Sequence, residues 1–230
     1  MSKNDYYYVQ KNVDMFFKRG FSFFLDPLEI KHVLGKIKGE IYNIYYPYFD
    51  SDRAIIYGDV YPSVRLYEFI SYDVLTHREI MGSIYNMGIE KGIFGDIVIF
   101  NNKYYIFVID GQIDFFSDLK MIGSHHINVK EVSLSILNDY KRKYECMNII
   151  VSSLRIDTVI SKIASMGRGD AQKLFLRDCV ILNYEICHKF NKLLKEDDVF
   201  SIKGYGKYKY KGVLKNTKKG GYVIKIDKYV

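Results

Sequence analysis

The chain has 230 residues, of which 48% are hydrophobic and 16% aromatic, and its 34 Lys+Arg against 27 Asp+Glu give a net charge of +7. That apolar content is ample for packed cores and excludes wholesale disorder, while the length suits one large domain or two to three small ones. No apolar run approaches the roughly 18 residues of a membrane span, and the start Met-Ser-Lys-Asn-Asp-Tyr lacks a signal peptide's apolar stretch, so a soluble, cytoplasmic protein is expected.

The first 70 residues are rich in Tyr and Phe. Asp5 to Arg19 carries Val9, Val13, Phe16 and Phe17 at helical spacing, and Asp26-Pro27 is a helix start, since Asp can cap free amides and Pro fits the first turn. Ile41 to Tyr46, Ala54 to Tyr57 and Val64 to Ile70 have the β-branched and aromatic character of strands, with Tyr48 to Asp52 as a polar loop. A second unit opens at Thr76, where Glu79 three residues on completes a capping box, and this helix should run to Met87 and stop at Gly88. Ile97 to Phe100 and Tyr104 to Ile109 are strands joined by Asn101-Asn102-Lys103, a hairpin signal. Gln112 to Gly123 is expected to be helical, and Val129 to Leu134 and Asn148 to Val151 are further strands. The alternation predicts an α+β sandwich, one sheet with two helices on a face, of RRM or ferredoxin-like type.

The third unit carries the charge. From Asn148 to Val230 there are 17 Lys+Arg against 8 Asp+Glu, a net of +9, which leaves 17 against 19 for the first 147 residues. Such a split points to a polyanion-facing end joined to a near-neutral body. Leu154, Val159, Ile160 and Ile163 share a helical face ending at Gly167, and Gly169 to Arg177 forms a second short helix with Ala171, Leu174 and Phe175 inward and Lys173 and Arg177 outward. Val180 to Leu182 and Val199 to Lys203 are strands, the second approached through the acidic turn Glu196-Asp197-Asp198. Tyr205 to Lys211 alternates strictly, with Lys207, Lys209 and Lys211 on one side and Tyr208 and Tyr210 on the other, and Tyr222 to Ile226 pairs back after a lysine- and glycine-rich turn. Three domains are expected: 1–74, a small α/β unit; 75–147, the central sandwich; and 148–230, a basic module.

Ser153 to Asp157, Met166-Gly167-Arg168, Ala171-Gln172-Lys173-Leu174, Val180 to Asn183 and Asp198 to Ile202 together resemble the alpha-L RNA-binding domain, first described in small-subunit ribosomal protein S-four. In that family a Ser-Arg pair opens the second helix and meets phosphate; here Arg168 matches the Arg and Gly167 replaces the Ser, and Asp178 stands where the family ends the helix with Gly. Thr76 to Gly82, Met87-Gly88-Ile89 and Gly95-Asp96-Ile97, with the tail Ile202 to Lys207 and Thr217 to Gly220, resemble the YlmH-type RNA-binding proteins over about residues 75 to 230. Departures are Glu90, Gly92 and Gly221. The resemblance implies a non-enzymatic, monomeric factor without cofactor or membrane contact, binding ribosomal RNA and tRNA on the large ribosomal subunit in rescue of stalled nascent chains. Its RNA-contacting residues would be Arg155, Arg168, Gln172, Lys173, Arg177, Asn183, Lys203, Lys207, Lys209, Lys211, Lys218 and Lys219.

Other chemistry is weaker. Arg155-Ile156-Asp157 echoes the Arg-Leu-Asp nucleophile motif of pseudouridine synthases but continues into an amphipathic helix, so Asp157 is better explained as pairing with a nearby basic side chain or orienting Arg155. His125-His126 lacks a third ligand at metal spacing and suits a strand start, and His77 suits a helix start. Gly204-Tyr205-Gly206 opens no helix and suits a bend rather than a dinucleotide loop. Cys146, Cys179 and Cys187 share no C-x-x-C spacing and are expected as reduced, buried thiols. Among the aromatics, Tyr205 and Tyr208 lie among lysines and are the candidates for base stacking. The alternative function is an RNA-modifying or tRNA-handling enzyme with its catalytic unit in residues 1–147, which requires a cleft with convergent titratable groups.

Overall fold

The computed structural model describes residues 3–109 and 119–230, and the chain divides into two compact units, Met1–Lys141 and Arg142–Val230. The class is mixed α+β, with five α-helices among the described residues.

In the first unit, α1 (Lys3–Arg19) buries Val9, Val13 and Phe16, whereas Phe17 is 57% exposed because its position turns it off that stripe. The buried polar side chain on this helix is Asn12, whose amide donates to the Tyr8 carbonyl (2.8 Å) and whose oxygen accepts from the Phe23 amide (2.8 Å), so it ties the helix to the following segment. α2 (Pro27–Lys36) starts as its sequence requires. The Asp26 carboxylate accepts from the Glu29 amide and the Glu29 carboxylate from the Asp26 amide, both at 2.9 Å. β1 (Asn43–Tyr45) and β2 (Ile55–Tyr57) form an antiparallel ribbon, shorter than expected at its first strand.

β3 (Val64–Ser71) is the middle of a five-stranded antiparallel sheet that also contains β4 (Phe94–Phe100), β5 (Lys103–Ile109), β6 (Met121–Ile122) and β7 (His125–Val132), in the order β4-β5-β3-β7-β6. Among its four long strands, the first lies between the third and the fourth with the second at the edge, which is the strand order of a ferredoxin-like sandwich. α3 (His77–Asn86) opens on the Thr76–Glu79 capping box and covers one face with Ile80 and Ile84 against Tyr67, Phe69, Ile106 and Val108. The hairpin between β4 and β5 turns at Asn101 (φ 51°) and Asn102 (φ 57°), the left-handed pair that a two-residue hairpin turn needs. Most of the helix expected over 112–123 lies outside the described residues; its end, Met121–Ile122, is a strand pairing with His125 and His126. The other face of the sheet is also covered, by Phe24, Tyr48, Ile55 and Leu137 against Leu66, Tyr105 and Phe107. The first 70 residues and the sandwich therefore share a core, and a boundary at 74/75 would fall beside the sheet's own central strand.

In the second unit, β8 (Tyr144–Val151) pairs along its whole length with β13 (Tyr222–Tyr229), so the unit begins at Arg142 rather than at 148. Arg142 to Val230 holds 19 Lys+Arg against 9 Asp+Glu, a net of +10. Its antiparallel sheet runs β10-β9-β11-β12-β13-β8, with β9 (Val180–Leu182), β10 (Glu185–Ile186), β11 (Val199–Ile202) and β12 (Gly206–Asn216). α4 (Ile156–Ile163) and α5 (Arg168–Leu176) lie on one face, packing Val159, Ile160, Ala171 and Phe175 against Phe200, Tyr208 and Ile226. α4 stops four residues before Gly167, at a turn in which Ser165 takes the positive φ (51°). Gly167 is instead the extended residue that precedes α5. After α5 the left-handed position belongs to Asp178 (φ 53°), a residue type that tolerates it when glycine is absent.

Candidate nucleic-acid interface

The charged centre of the second unit is a carboxylate. Asp157, in the first turn of α4, is fully buried (0% exposed). Its Oδ1 accepts from Arg155 Nε (3.1 Å), and its Oδ2 accepts from Arg155 Nη2 (3.0 Å), Arg168 Nε (3.0 Å) and Gln172 Nε2 (2.8 Å). Burial by itself would raise the acid's pKa, but the hydrogen bonds from Arg155, Gln172 and Arg168 outweigh it and hold the carboxyl at about 2. One anion thus fixes two guanidinium groups and an amide contributed by the residue before α4 and by the first turns of α5. The Arg168 side chain stays 47% exposed, and only its Nε is bound to Asp157. Arg155 is further held over the Phe190 ring, 5.7 Å from its centroid. A fixed, partly exposed pair of guanidiniums is suited to binding the oxygens of a phosphate.

The two helix starts differ. The segment after β10 folds back so that the Lys192 carbonyl accepts from the Ile156 amide (2.9 Å) and the Phe190 carbonyl from the Asp157 amide (3.2 Å). The first turn of α4 is therefore occupied by protein. No side chain caps α5 after Gly167, which leaves its first amides beside Arg168 for an anion. The returning segment also places Lys189, Lys192 and Lys195, all exposed, on the loop that closes over α4. In the sequence this loop is marked only by the density of lysine between Lys189 and Lys195, in a stretch without regular periodicity.

The other expected residues separate. Lys173 faces outward, paired with Asp170 (2.7 Å), and Arg177 is exposed at the end of α5. Lys203 is exposed nearby, its amide donating to the Cys179 carbonyl (2.9 Å). Lys218 and Lys219 are exposed on the turn between β12 and β13. None of Arg177, Lys203, Lys218 and Lys219 forms an ion pair with another described residue. Asn183 plays a structural part: at positive φ (49°), it donates to Asp198 Oδ1 (2.8 Å) and accepts from the Val199 amide (2.9 Å), which fixes the acidic turn.

Lys207, Lys209 and Lys211 do share one side of β12, as the alternation predicts, but not the side of Arg168. Tyr208 and Tyr210 point into the core beneath the helices, so the lysines project from the opposite face of the sheet. Lys211 and Lys209 bind Asp197 at 2.8 and 3.1 Å, and Lys207 lies against the rings of Tyr184 and Tyr229. Tyr208 is buried and stacked on Phe200 (5.5 Å), which removes it as a stacking platform; Tyr205 stays exposed on the bend at Gly204 and Gly206. Of the three thiols only Cys187 is buried, while Cys146 is exposed on β8, because the outward face of that strand has no helix over it.

In the first unit, RNA bases cannot stack on the sandwich sheet in the manner of an RRM. Tyr105 and Phe107 are already covered by Phe24 and Tyr48, the Tyr48 ring stacking on Phe107 at 5.5 Å. Glu68 sits on that same face at the cross-strand position, accepting from Lys103 (3.1 Å) and Tyr105 (3.0 Å) with Lys130 at 3.1 Å; burial opposes its ionisation, but these donors hold its pKa below the usual range. His125 begins β7 and contacts Asp73 (2.7 Å), an exposed pair at a strand start. Among the described residues, no group of three His, Cys, Asp or Glu side chains is placed to hold a metal ion.

Residues 66–136 match the family model described as a putative RNA-binding domain in YlmH, which spans β3 to the turn at Leu134–Leu137, so this chain carries a YlmH-type domain. Over 220 residues the chain is 24% identical to the ribosome-associated protein quality control protein P2 of Bacillus subtilis, covering 89% of this chain and 85% of that protein. A solved structure of the cell division protein ylmH from Streptococcus pneumoniae is similar with 22% identity and a TM-score of 0.46, covering 60% of this chain and 97% of that one.

Proposed function

We propose, for this YlmH-type RNA-binding protein, that the second unit binds structured RNA on the ribosome and that the chain acts in quality control of stalled nascent chains. The observation that carries the reading is the buried Asp157, which spends one negative charge to hold Arg155, Arg168 and Gln172 in a fixed array beside the uncapped start of α5. Fixing long side chains before binding lowers the ordering cost of each phosphate contact. The net charge of the unit supplies long-range attraction to the polyanion. Arg177, Lys203, Lys218 and Lys219 add exposed charge around the array, with Lys189, Lys192 and Lys195. The similarity to a ribosome-associated quality control protein supports a ribosomal partner, and the proposal that the partner is ribosomal RNA and tRNA on the large subunit rests on the alpha-L and YlmH-type resemblance.

The chain works as a binder and not as a catalyst in this reading. Asp157, the one residue that echoes a nucleophile, has no exposed surface and both its oxygens are engaged by donors. A single cytoplasmic copy is the working form. Crosslinking of the protein to RNA in cells, with both the RNA site and the crosslinked peptide identified, tests the proposal. Crosslinks should map to ribosomal RNA or tRNA and to peptides around Arg155, Arg168 and the 189–195 loop. Crosslinks confined to messenger RNA, or to the first unit alone, would refute it.

A further inference from the structure

The sandwich of the first unit leaves one end of a sheet face open, and the residues there are polar rather than aromatic. Phe24, Tyr48, Ile55 and Leu137 cover this face over Leu66, Tyr105 and Phe107. Side chains two apart on a strand share a side, so beyond Tyr105 the same face continues with Lys103 on β5, Glu68 and Ile70 on β3, and Lys130 and Asn128 on β7. Ile70 is 41% exposed and Asn128 is exposed, so this end of the face meets solvent. Glu68 lies on the middle strand between the two lysines. Its side chain is 2% exposed, with Lys103 Nζ 3.1 Å from Oε2 and Lys130 Nζ 3.1 Å from Oε1. The lysine side chains stay 38% and 58% exposed, and neither pairs with another acid among the described residues.

We propose that this end of the sheet is a second RNA contact, at which Lys103 and Lys130 bind the phosphate backbone. The inference rests on the reading of the chain as an RNA-binding protein and extends it to the first unit. Two cations share one buried anion, which leaves one positive charge in excess, and each ammonium has three donors of which one faces the carboxylate. Glu68 fixes the two ammoniums near one point, as Asp157 fixes Arg155 and Arg168, and a cation ordered beforehand loses less freedom when it meets a phosphate. The open end is suited to backbone contact and not to base readout. Tyr105 and Phe107, the rings of this face, lie under the covering segments, whereas the ammoniums and the Asn128 amide are donors for phosphate and sugar oxygens. The match to the putative RNA-binding domain spans residues 66–136 and contains Glu68, Lys103 and Lys130. The first unit has no excess of positive charge, so this contact adds to capture by the basic second unit and does not replace it.

Fluorescence anisotropy of the full chain with a labelled RNA hairpin, measured over a range of salt concentrations, tests the contact. Lys103→Gln with Lys130→Gln should weaken binding about fivefold and reduce the log–log salt slope by about 2 in magnitude, close to one for each lost lysine–phosphate contact. The double substitution leaves a buried carboxylate without a cation, so circular dichroism checks the fold. If it unfolds, Lys130→Gln alone decides, because Lys103 and Tyr105 still donate to Glu68, and a loss of about twofold with a slope lower by about 1 is expected. Unchanged affinity and slope in the folded variant overturn the proposal. Arg168→Ala with Gln172→Ala tests the helical site separately. Wild-type binding by that variant, with weakened binding by the lysine variant, refutes the helical site and upholds this one; the converse refutes this one alone. Binding of a labelled Glu-rich peptide that the lysine substitutions abolish, with RNA affinity intact, overturns the proposal and assigns the lysines to a protein.

Discussion

Replacing Asp157 with Asn tests whether the buried carboxylate holds the second unit's proposed RNA site together. The substitution keeps size and shape but turns one of two acceptors into a donor. Arg155 engages Oδ1 through Nε and Oδ2 through Nη2, while Arg168 and Gln172 both use Oδ2. If the Asn oxygen takes the Oδ2 position, its amide opposes Arg155 Nε, donor against donor; in the other orientation Arg168 and Gln172 lose their acceptor. The carboxyl's fall from 3.8 to about 2 corresponds to roughly 2 kcal/mol favouring the ionised form in the folded chain. A loss of about 2–3 kcal/mol in stability is therefore expected, tempered because the Arg168 guanidinium can return to water. The chain has no Trp, so urea unfolding is followed by circular dichroism. Because the folded pKa is lowered, Asp157 contributes stability at pH values above the ordinary carboxylate pKa, and that contribution disappears as pH falls through about 2. The difference between wild type and Asp157→Asn should accordingly be constant from pH 7 to about 5 and shrink below 4. RNA affinity should fall about tenfold as Arg155 and Arg168 lose their fixed positions. A variant as stable as wild type at pH 7 with unchanged RNA binding refutes the reasoning; full stability with lost binding would show that Asp157 contributes to RNA affinity and not to the fold.

Four further outcomes follow from the same structure. Alanine at Arg168, Lys173 and Arg177 should weaken ribosome or RNA association by about 1–3 kcal/mol, most of it from Arg168 because Lys173 is already paired with Asp170, and co-sedimentation with ribosomes measures it. With about six phosphate contacts, log affinity against log salt should have a slope near −5 on a duplex-like site, and a slope near zero would remove the electrostatic reading. A fragment of residues 142–230 should fold and retain RNA binding, with residues 1–141 folded but weakly binding, as gel-shift assays on the two purified pieces would show. Gly92→Ala should destabilise the first unit by about 1–3 kcal/mol in thermal unfolding, since φ is +89° there and a Cβ would lie 1.9 Å from the Tyr8 hydroxyl and 2.9 Å from Phe23 Cβ.

Much of this fold was legible because its signals are local. The boxes at Asp26–Glu29 and Thr76–Glu79 need only three residues of separation, the Asn101-Asn102 turn needs two, and the lysine–tyrosine alternation of β12 follows from the pleat. Contacts that depend on distant chain were not legible. The strand at Val64–Ser71 looked like the end of an N-terminal unit, yet its partners are 103–109 and 125–132, and nothing local to Val64 encodes that pairing. The binding array shows the same limit more sharply. That Asp157 orients Arg155 was readable from a separation of two residues, but Arg168 and Gln172 reach the same carboxylate only because the turn at Ser165 folds α5 back against α4. The lysines at 189–195 join that region for the same kind of reason, through carbonyls that close the start of α4. The faces of β12 show what a period-two pattern leaves open. It establishes that Lys207, Lys209 and Lys211 share a side, but the placement of α4 and α5 decides that this side is not the one carrying Arg168. Charge count alone therefore merges two surfaces that the sheet holds apart, and their separation is what allows variants on one to leave the other intact.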